Sequence, residues 1–66
     1  MHSLQTSEDA IQKRIESYLM DAFIAERVVD PLAVAEELVR TGISLPVEDI
    51  SARVRASAYG IGVRVK

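Results

Sequence analysis

The chain has no cysteine, and its single histidine, His2, lies at the N-terminus. Without cysteine there can be no disulfide and no thiolate metal site. A single histidine near a chain end also argues against most zinc sites, which need several ligands, and against a histidine base that activates a nucleophile. We therefore predict no metal, no cofactor and no catalytic residue, and we expect that the protein is not an enzyme.

Carboxylates are present, but in arrangements that do not indicate chemistry. They come as sequence neighbours, as in Glu36–Glu37 and Glu48–Asp49. Neighbours on a helix point about 100° apart, so the two carboxylates of a pair do not meet at one substrate atom. The DxDxDG spacing of a calcium loop is missing as well. The pairs indicate no acid–base site, and no small-molecule substrate is evident.

Long apolar runs are also lacking. No stretch approaches the ~20 apolar residues of a transmembrane helix. The N-terminus has no basic start followed by an apolar core, so it does not resemble a secretory signal. We predict no membrane span. A cysteine-free chain is compatible with a reducing compartment, and we predict a cytoplasmic location.

The short length limits how the chain can be stabilised. Its 66 residues predict one domain, residues 1–66, and a chain of this size buries only about 60% of its unfolded surface. Small domains usually rely on a disulfide, a metal or a partner chain. Since the first two are excluded and 48% of the residues are apolar, we predict a homodimer.

The apolar periodicity predicts an all-α domain of three helices over residues 7–29, 31–41 and 46–59. Asp30 as N-cap and Pro31 at the first helical position mark the start of the second helix. The inward stripe of the first helix contains Ile11, Ile15, Tyr18, Leu19, Ala22 and Val29. The inward faces of the others contain Leu32, Val34, Ala35, Leu38 and Val39, and then Val47, Ile50, Val54 and Ala58.

Both chain ends, residues 1–6 and 61–66, are predicted to be flexible or extended. The last six residues, IGVRVK, alternate apolar and polar positions, which is typical of a strand. They form a short, extended basic tail. Two interpretations stay open: a loose or packed tail without strand pairing, and a strand that pairs with its copy in a second subunit.

The first helix has a second apolar stripe opposite its inward face. Met20, Ile24 and Val28 recur at intervals of four, and Phe23 lies between the two stripes. Two further short helices can hardly cover both faces, although complete wrapping by the small domain is the alternative. Phe and Met are enriched at the cores of interfaces. We therefore predict that Met20, Phe23, Ile24 and Val28 contact a second copy or another protein's helix, in a non-catalytic regulatory module.

Charge is distributed unevenly, which raises a second hypothesis. Residues 1–50 hold ten acids and four bases, a net charge of −6, whereas residues 51–66 hold four bases and no acid, a net charge of +4. A basic segment can contact nucleic acid. It can equally pair with the acidic part of another subunit, or be solvated surface without a partner. The four bases in question are Arg53, Arg55, Arg64 and Lys66.

Residues 31–58 resemble the tri-helical helix-turn-helix pattern, since VAEEL is followed by GIS and by a helix that contains Ile50 and Val54. This resemblance implies a dimeric DNA-binding transcriptional regulator, with those four bases on phosphates. However, Glu48 and Asp49 begin the third helix, where recognition helices touch base edges. Acids at this position oppose the phosphate field of DNA. DNA binding is therefore the alternative to protein interaction.

Overall fold

The structure, a computed structural model, describes residues 8–66. Three helices follow one another: α1 (Glu8–Ile24), α2 (Pro31–Arg40) and α3 (Val47–Ile61). The described part contains one isolated bridge between extended residues and no longer strand. The prediction of an all-α, three-helix fold is confirmed. Residues 1–6 and the predicted helix start at residue 7 lie outside the described residues.

The third helix is the centre of the fold. It packs against both other helices through a seam formed by Ile50, Val54 and Ala58, which are fully buried. Their spacing of four residues keeps them on one face, as the sequence predicts. The remaining buried apolar residues of the core are Ile11, Ile15, Leu19, Ala22, Val29, Val34, Ala35, Leu38, Ile43 and Val63.

Side-chain contacts fix the directions of the helices. The Gln12 amide donates a 2.6 Å hydrogen bond to the Ser57 hydroxyl. One turn earlier on both helices, the Arg53 guanidinium contacts the Glu8 carboxylate at 3.0 Å. The helices α1 and α3 therefore run in the same direction. Between them in sequence, α2 returns in the opposite direction, and Thr41 at its end accepts a 3.1 Å hydrogen bond from Arg14 of α1.

The first helix is shorter than predicted, because it ends at Ile24 and not at Val29. Glu26 adopts a left-handed conformation, with φ of 56°. The Glu26 N–H then donates to the Phe23 carbonyl at 3.1 Å, and the Arg27 N–H donates to the Ala22 carbonyl at 2.9 Å. These two bonds form a Schellman motif, which turns the chain out of the helix. Val29 is buried, but it reaches the core from the loop that follows.

The second helix begins as the sequence predicts. The Asp30 carboxylate accepts hydrogen bonds from the Leu32 N–H at 3.1 Å and the Ala33 N–H at 3.5 Å. Pro31 occupies the first helical position and is itself fully buried. Three residues that we predicted on inward faces, Tyr18, Leu32 and Val39, are exposed instead. Each lies at the edge of its apolar stripe, and one facing helix covers only the middle of a stripe.

The third helix begins one residue later than predicted and ends two residues later. Pro46 is the N-cap and Val47 the first helical residue. Gly60 remains within the helix, and Gly62, with φ of 99°, is the left-handed C-cap. The Val63 N–H donates to the Ala58 carbonyl at 2.9 Å. Val63 is buried, so this bond directs the end of the chain back onto the core.

The C-terminal tail is extended, and it packs against its own chain. The Val29 N–H donates to the Arg64 carbonyl, and the Lys66 N–H donates to the Val29 carbonyl, both at 2.9 Å. Val29 and Val65 thereby form a parallel bridge. The tail is therefore packed and not loose, because Val63 and this bridge hold it beside the loop between α1 and α2. Pairing of the tail with its copy in a second subunit stays a prediction.

Asp30→Ala removes the N-cap of α2 and leaves two backbone N–H groups without their acceptor. We expect the free energy of unfolding to fall by about 1 kcal/mol, which corresponds to a midpoint roughly 4–8 °C lower. Thermal unfolding followed by circular dichroism measures this shift. The control is Glu36→Ala, which removes an exposed acid from the same helix without touching the cap. Equal midpoints for the two variants would contradict the capping role.

Glu26→Gly removes the side chain from a residue in the left-handed conformation and thereby relieves its backbone strain. The other two helices end in the same way but place Gly42 and Gly62 at the left-handed position. A non-glycine residue in this conformation costs about 1 kcal/mol, so we expect the variant to be more stable by up to that amount. Chemical unfolding checks this. Ala25→Gly, at a neighbouring position without positive φ, is expected to reduce stability.

Candidate protein-interaction surface

The four residues predicted for an interface all lie at the surface, and we call them the α1 surface: Met20, Phe23, Ile24 and Val28. Their exposed fractions are 44%, 49%, 75% and 52%, in that order. Exposed single apolar residues are common, but four within nine residues of chain form an unusual concentration. The structure therefore places exposed apolar side chains where the sequence predicts an interface.

The geometry of α1 explains why these side chains are left uncovered. Its buried residues, Ile11, Ile15, Leu19 and Ala22, occupy one face and meet the core. Ile24 lies about 180° from the middle of that face at 100° per residue. Neither α2 nor α3 reaches this side, so Ile24 is the most exposed residue of the α1 surface.

A cleft of about 250 Å³ adjoins the α1 surface, and we call it the tail cleft. One wall is formed by the end of α1 and the loop after it, and the other by the C-terminal tail. Phe23 and Val28 line it, and the Phe23 ring lies 3.9 Å from the position that a Cβ on Gly62 would occupy. The other lining residues are Ala22, Glu26, Arg27, Val63 and Arg64. Two of the four residues predicted for an interface, Phe23 and Val28, thus lie beside the C-terminal tail.

The rim of the tail cleft is cationic. Arg27 and Arg64 come from opposite walls, and Glu26 is the one acid among the lining residues. The ion pairs within residues 8–66 join Lys13 to Asp9, Arg40 to Glu37 and Arg53 to Glu8, so neither rim arginine takes part in one. Both guanidinium groups are therefore available to an acidic or hydrogen-bonding partner.

Sequence reasoning did not identify the cleft, and the reasons are local. It requires that α1 end at Ile24, and Glu26 carries no sequence signal for a left-handed conformation, which glycine normally provides. Arg27 was consequently expected within a helix. One signal was available on the other wall, since an apolar residue directly after a C-terminal glycine, as in Gly62–Val63, frequently folds back onto the helix end.

The four bases of the DNA-binding alternative do not form one surface. Arg53 pairs with Glu8 and is only 31% exposed in its side chain. Arg55 lies about 200° around α3 from Arg53. Arg64 and Lys66 lie beside Val29 on the tail, beyond the opposite end of α3 from Glu48 and Asp49. The bases are therefore spread over three places of the fold.

The connection between α2 and α3 also bears on this alternative. Six residues, 41–46, separate the two helices. DNA-binding helix-turn-helix units usually have a turn of about 3–4 residues. Glu48 and Asp49 are exposed in the first turn of α3, where they complement the positive end of the helix dipole. The two acids therefore stabilise the start of α3 itself.

Other kinds of site find little support in residues 8–66. A second, wider depression lies between α1 and the end of α2, but its Arg14 and Thr41 side chains bond each other. No group of three or more His, Asp or Glu side chains in this part of the chain could hold a metal ion. None of the helices found there is long and apolar enough to cross a bilayer.

Comparison of the chain with known protein families, with curated proteins and with solved structures gave no match.

Binding to heparin tests the DNA-binding alternative. Because the four bases are dispersed and Arg53 is paired, we expect the protein to pass unretained through a heparin column at about 50 mM salt, where phosphate contacts are strong. Gel filtration of the same sample serves as the control for column exclusion. Salt-dependent retention that Arg64→Gln removes would contradict this expectation and favour nucleic-acid binding.

Proposed function

We propose that this protein is a non-catalytic protein-interaction module that acts as a homodimer through the α1 surface. The supporting observation is the exposure of Met20, Phe23 and Ile24 in the last turns of α1, whose opposite face is buried, together with Val28, which lies in the loop after α1 and not on the helical stripe that the sequence predicts. Apolar area removed from water contributes about 25 cal/mol per Å², so covering these side chains favours association. The module would serve a regulatory role in the cytoplasm.

The size of the chain supports this mode of action. A stable interface covers roughly 800 Å² on each partner. The whole chain exposes 4558 Å², so a dimer covers roughly a sixth of that surface. The α1 surface alone is smaller than this, and the interface must therefore extend to neighbouring residues. The tail cleft, which shares Phe23 and Val28 with the α1 surface and adds charged side chains at its rim, lies directly beside it.

A helix from another protein is the alternative occupant of the α1 surface. Such a partner would place its apolar face on the same residues, as in helix-to-groove recognition. The two forms differ in what the isolated protein does: a self-dimer forms without any addition, whereas a module for another protein stays monomeric until its partner is present.

Ile24→Asp tests the proposed homodimer. A charge at the most exposed position of the α1 surface cannot be buried without a large cost, so we expect the variant to be monomeric. Light scattering after gel filtration, at a concentration where the wild type is dimeric, measures the mass. Circular dichroism shows whether the helices are retained, which we expect because Ile24 makes little contribution to the core.

The matched control is Tyr59→Asp. Tyr59 is 91% exposed on α3 and lies outside both the α1 surface and the lining of the tail cleft. An aspartate at this position introduces the same charge, and we expect it to leave the dimer intact. An Ile24→Asp variant that keeps the mass of the wild type would overturn the proposed interface.

A further inference from the structure

We propose that the tail cleft is the seat for Ile24 of a second copy of this chain, so that each subunit inserts its Ile24 into the cleft of the other. The inference rests on the proposed homodimer and specifies how its two surfaces meet. The occupant is a second copy of the chain, and the contact joins Ile24 to the cleft lined by Phe23 and Val28.

The projecting group is Ile24. It is three-quarters exposed in the last turn of α1 and does not line the cleft of its own chain. Phe23, the preceding residue, turns its ring into that cleft against Gly62. A projecting side chain and a recess that Phe23 and Val28 line therefore lie side by side on the same end of the molecule.

The size of the recess suits one aliphatic side chain. Benzene, with six carbons, occupies a cavity of about 150 Å³, so the cleft of about 250 Å³ accommodates the four side-chain carbons of isoleucine. Sites for larger ligands usually begin at about 300 Å³ and enclose most of the ligand. The tail cleft is open on one side, as a pocket for an anchoring residue in a protein interface is.

Symmetry connects these two features. In a two-fold dimer, any contact from residue i to residue j is repeated from j to i. A surface that carries both a projection and a matching recess can therefore satisfy both in one arrangement. The contact also brings in the rim of the cleft and the tail, so the interface extends beyond the α1 surface.

The rim charges give this arrangement a distinctive signature. Arg27 and Arg64 outnumber Glu26 at the cleft, so a residue that replaces Ile24 enters a positive site. Lysine there is repelled, whereas glutamate pairs with the arginines. The overall charge of the chain predicts the opposite order. At a net charge of −2, a lysine reduces the repulsion between two copies and a glutamate increases it.

The first experiment compares Ile24→Lys with Ile24→Glu by sedimentation equilibrium at low salt. Both variants lose the apolar contact, and we expect the dimer dissociation constant of Ile24→Lys to exceed that of Ile24→Glu by at least fivefold. Added salt is expected to narrow this gap, because the rim is exposed to solvent. Equal dimer dissociation constants for the two variants, or a lower constant for Ile24→Lys, would overturn the inference.

The second experiment mixes two variants that each damage one half of the contact. Ile24→Lys spoils the projection, and Val28→Asp spoils the recess. In a mixed dimer, Ile24 of the Val28→Asp chain meets an intact cleft, and the introduced lysine and aspartate face each other. We expect each variant alone to be largely monomeric and the mixture to form heterodimers, detected by native mass spectrometry. A mixture that stays monomeric would count against the inference.

The outcomes separate the inference from the proposed function. A wild-type dimer that Ile24→Asp dissociates, without the lysine–glutamate difference and without mixed dimers, overturns the inference and leaves the homodimer in place. A wild type that is monomeric at every concentration overturns both. If Val28→Asp reduces the helical signal, the comparison of Ile24→Lys with Ile24→Glu decides, since Ile24 is too exposed for these changes to unfold the chain.

Discussion

The buried seam of α3 organises the molecule, because α1 and α2 both pack on Ile50, Val54 and Ala58. A single central helix can cover one face of each neighbour and no more. In α2 and α3 the large exposed apolar residues are Leu32, Val39 and Tyr59, which do not form a second stripe. In α1 one covered face is not sufficient, because its last turns are apolar on two sides. The exposed α1 surface thus follows from the arrangement that makes the core.

The ends of the helices connect this core to the candidate interface. All three helices close with Schellman-type hydrogen bonds. After α2 and α3, the residues that follow the left-handed glycines, Ile43 and Val63, fold back into the core. After α1, the corresponding residue is Arg27, which stays outside and lines the tail cleft. The same hydrogen-bond pattern therefore adds a buried residue to the core after α2 and after α3. After α1 it leaves a cleft with a charged rim.

Much of this fold could be predicted from the sequence, and the failures have physical causes. The apolar spacing of α3 and the Asp30–Pro31 start of α2 act over a few residues, so they are visible in sequence. The end of α1 was wrong because Val28 and Val29 continue the apolar pattern, whereas the left-handed Glu26 depends on tertiary context. The four residues predicted for an interface are exposed as a group, and their contact with a partner stays a prediction. Their proximity to Arg64 depends on the bridge between Val29 and Val65, which links residues far apart in sequence.

The central claim is that the wild-type chain buries its α1 surface against a second copy. The most direct test is the solution mass of the wild type by light scattering over a dilution series, with circular dichroism recorded at each concentration. We predict a dimer that dissociates on dilution into monomers that keep their helical signal, as we expect for the monomeric Ile24→Asp variant. A helical monomer of 7.3 kDa at every concentration would contradict the claim.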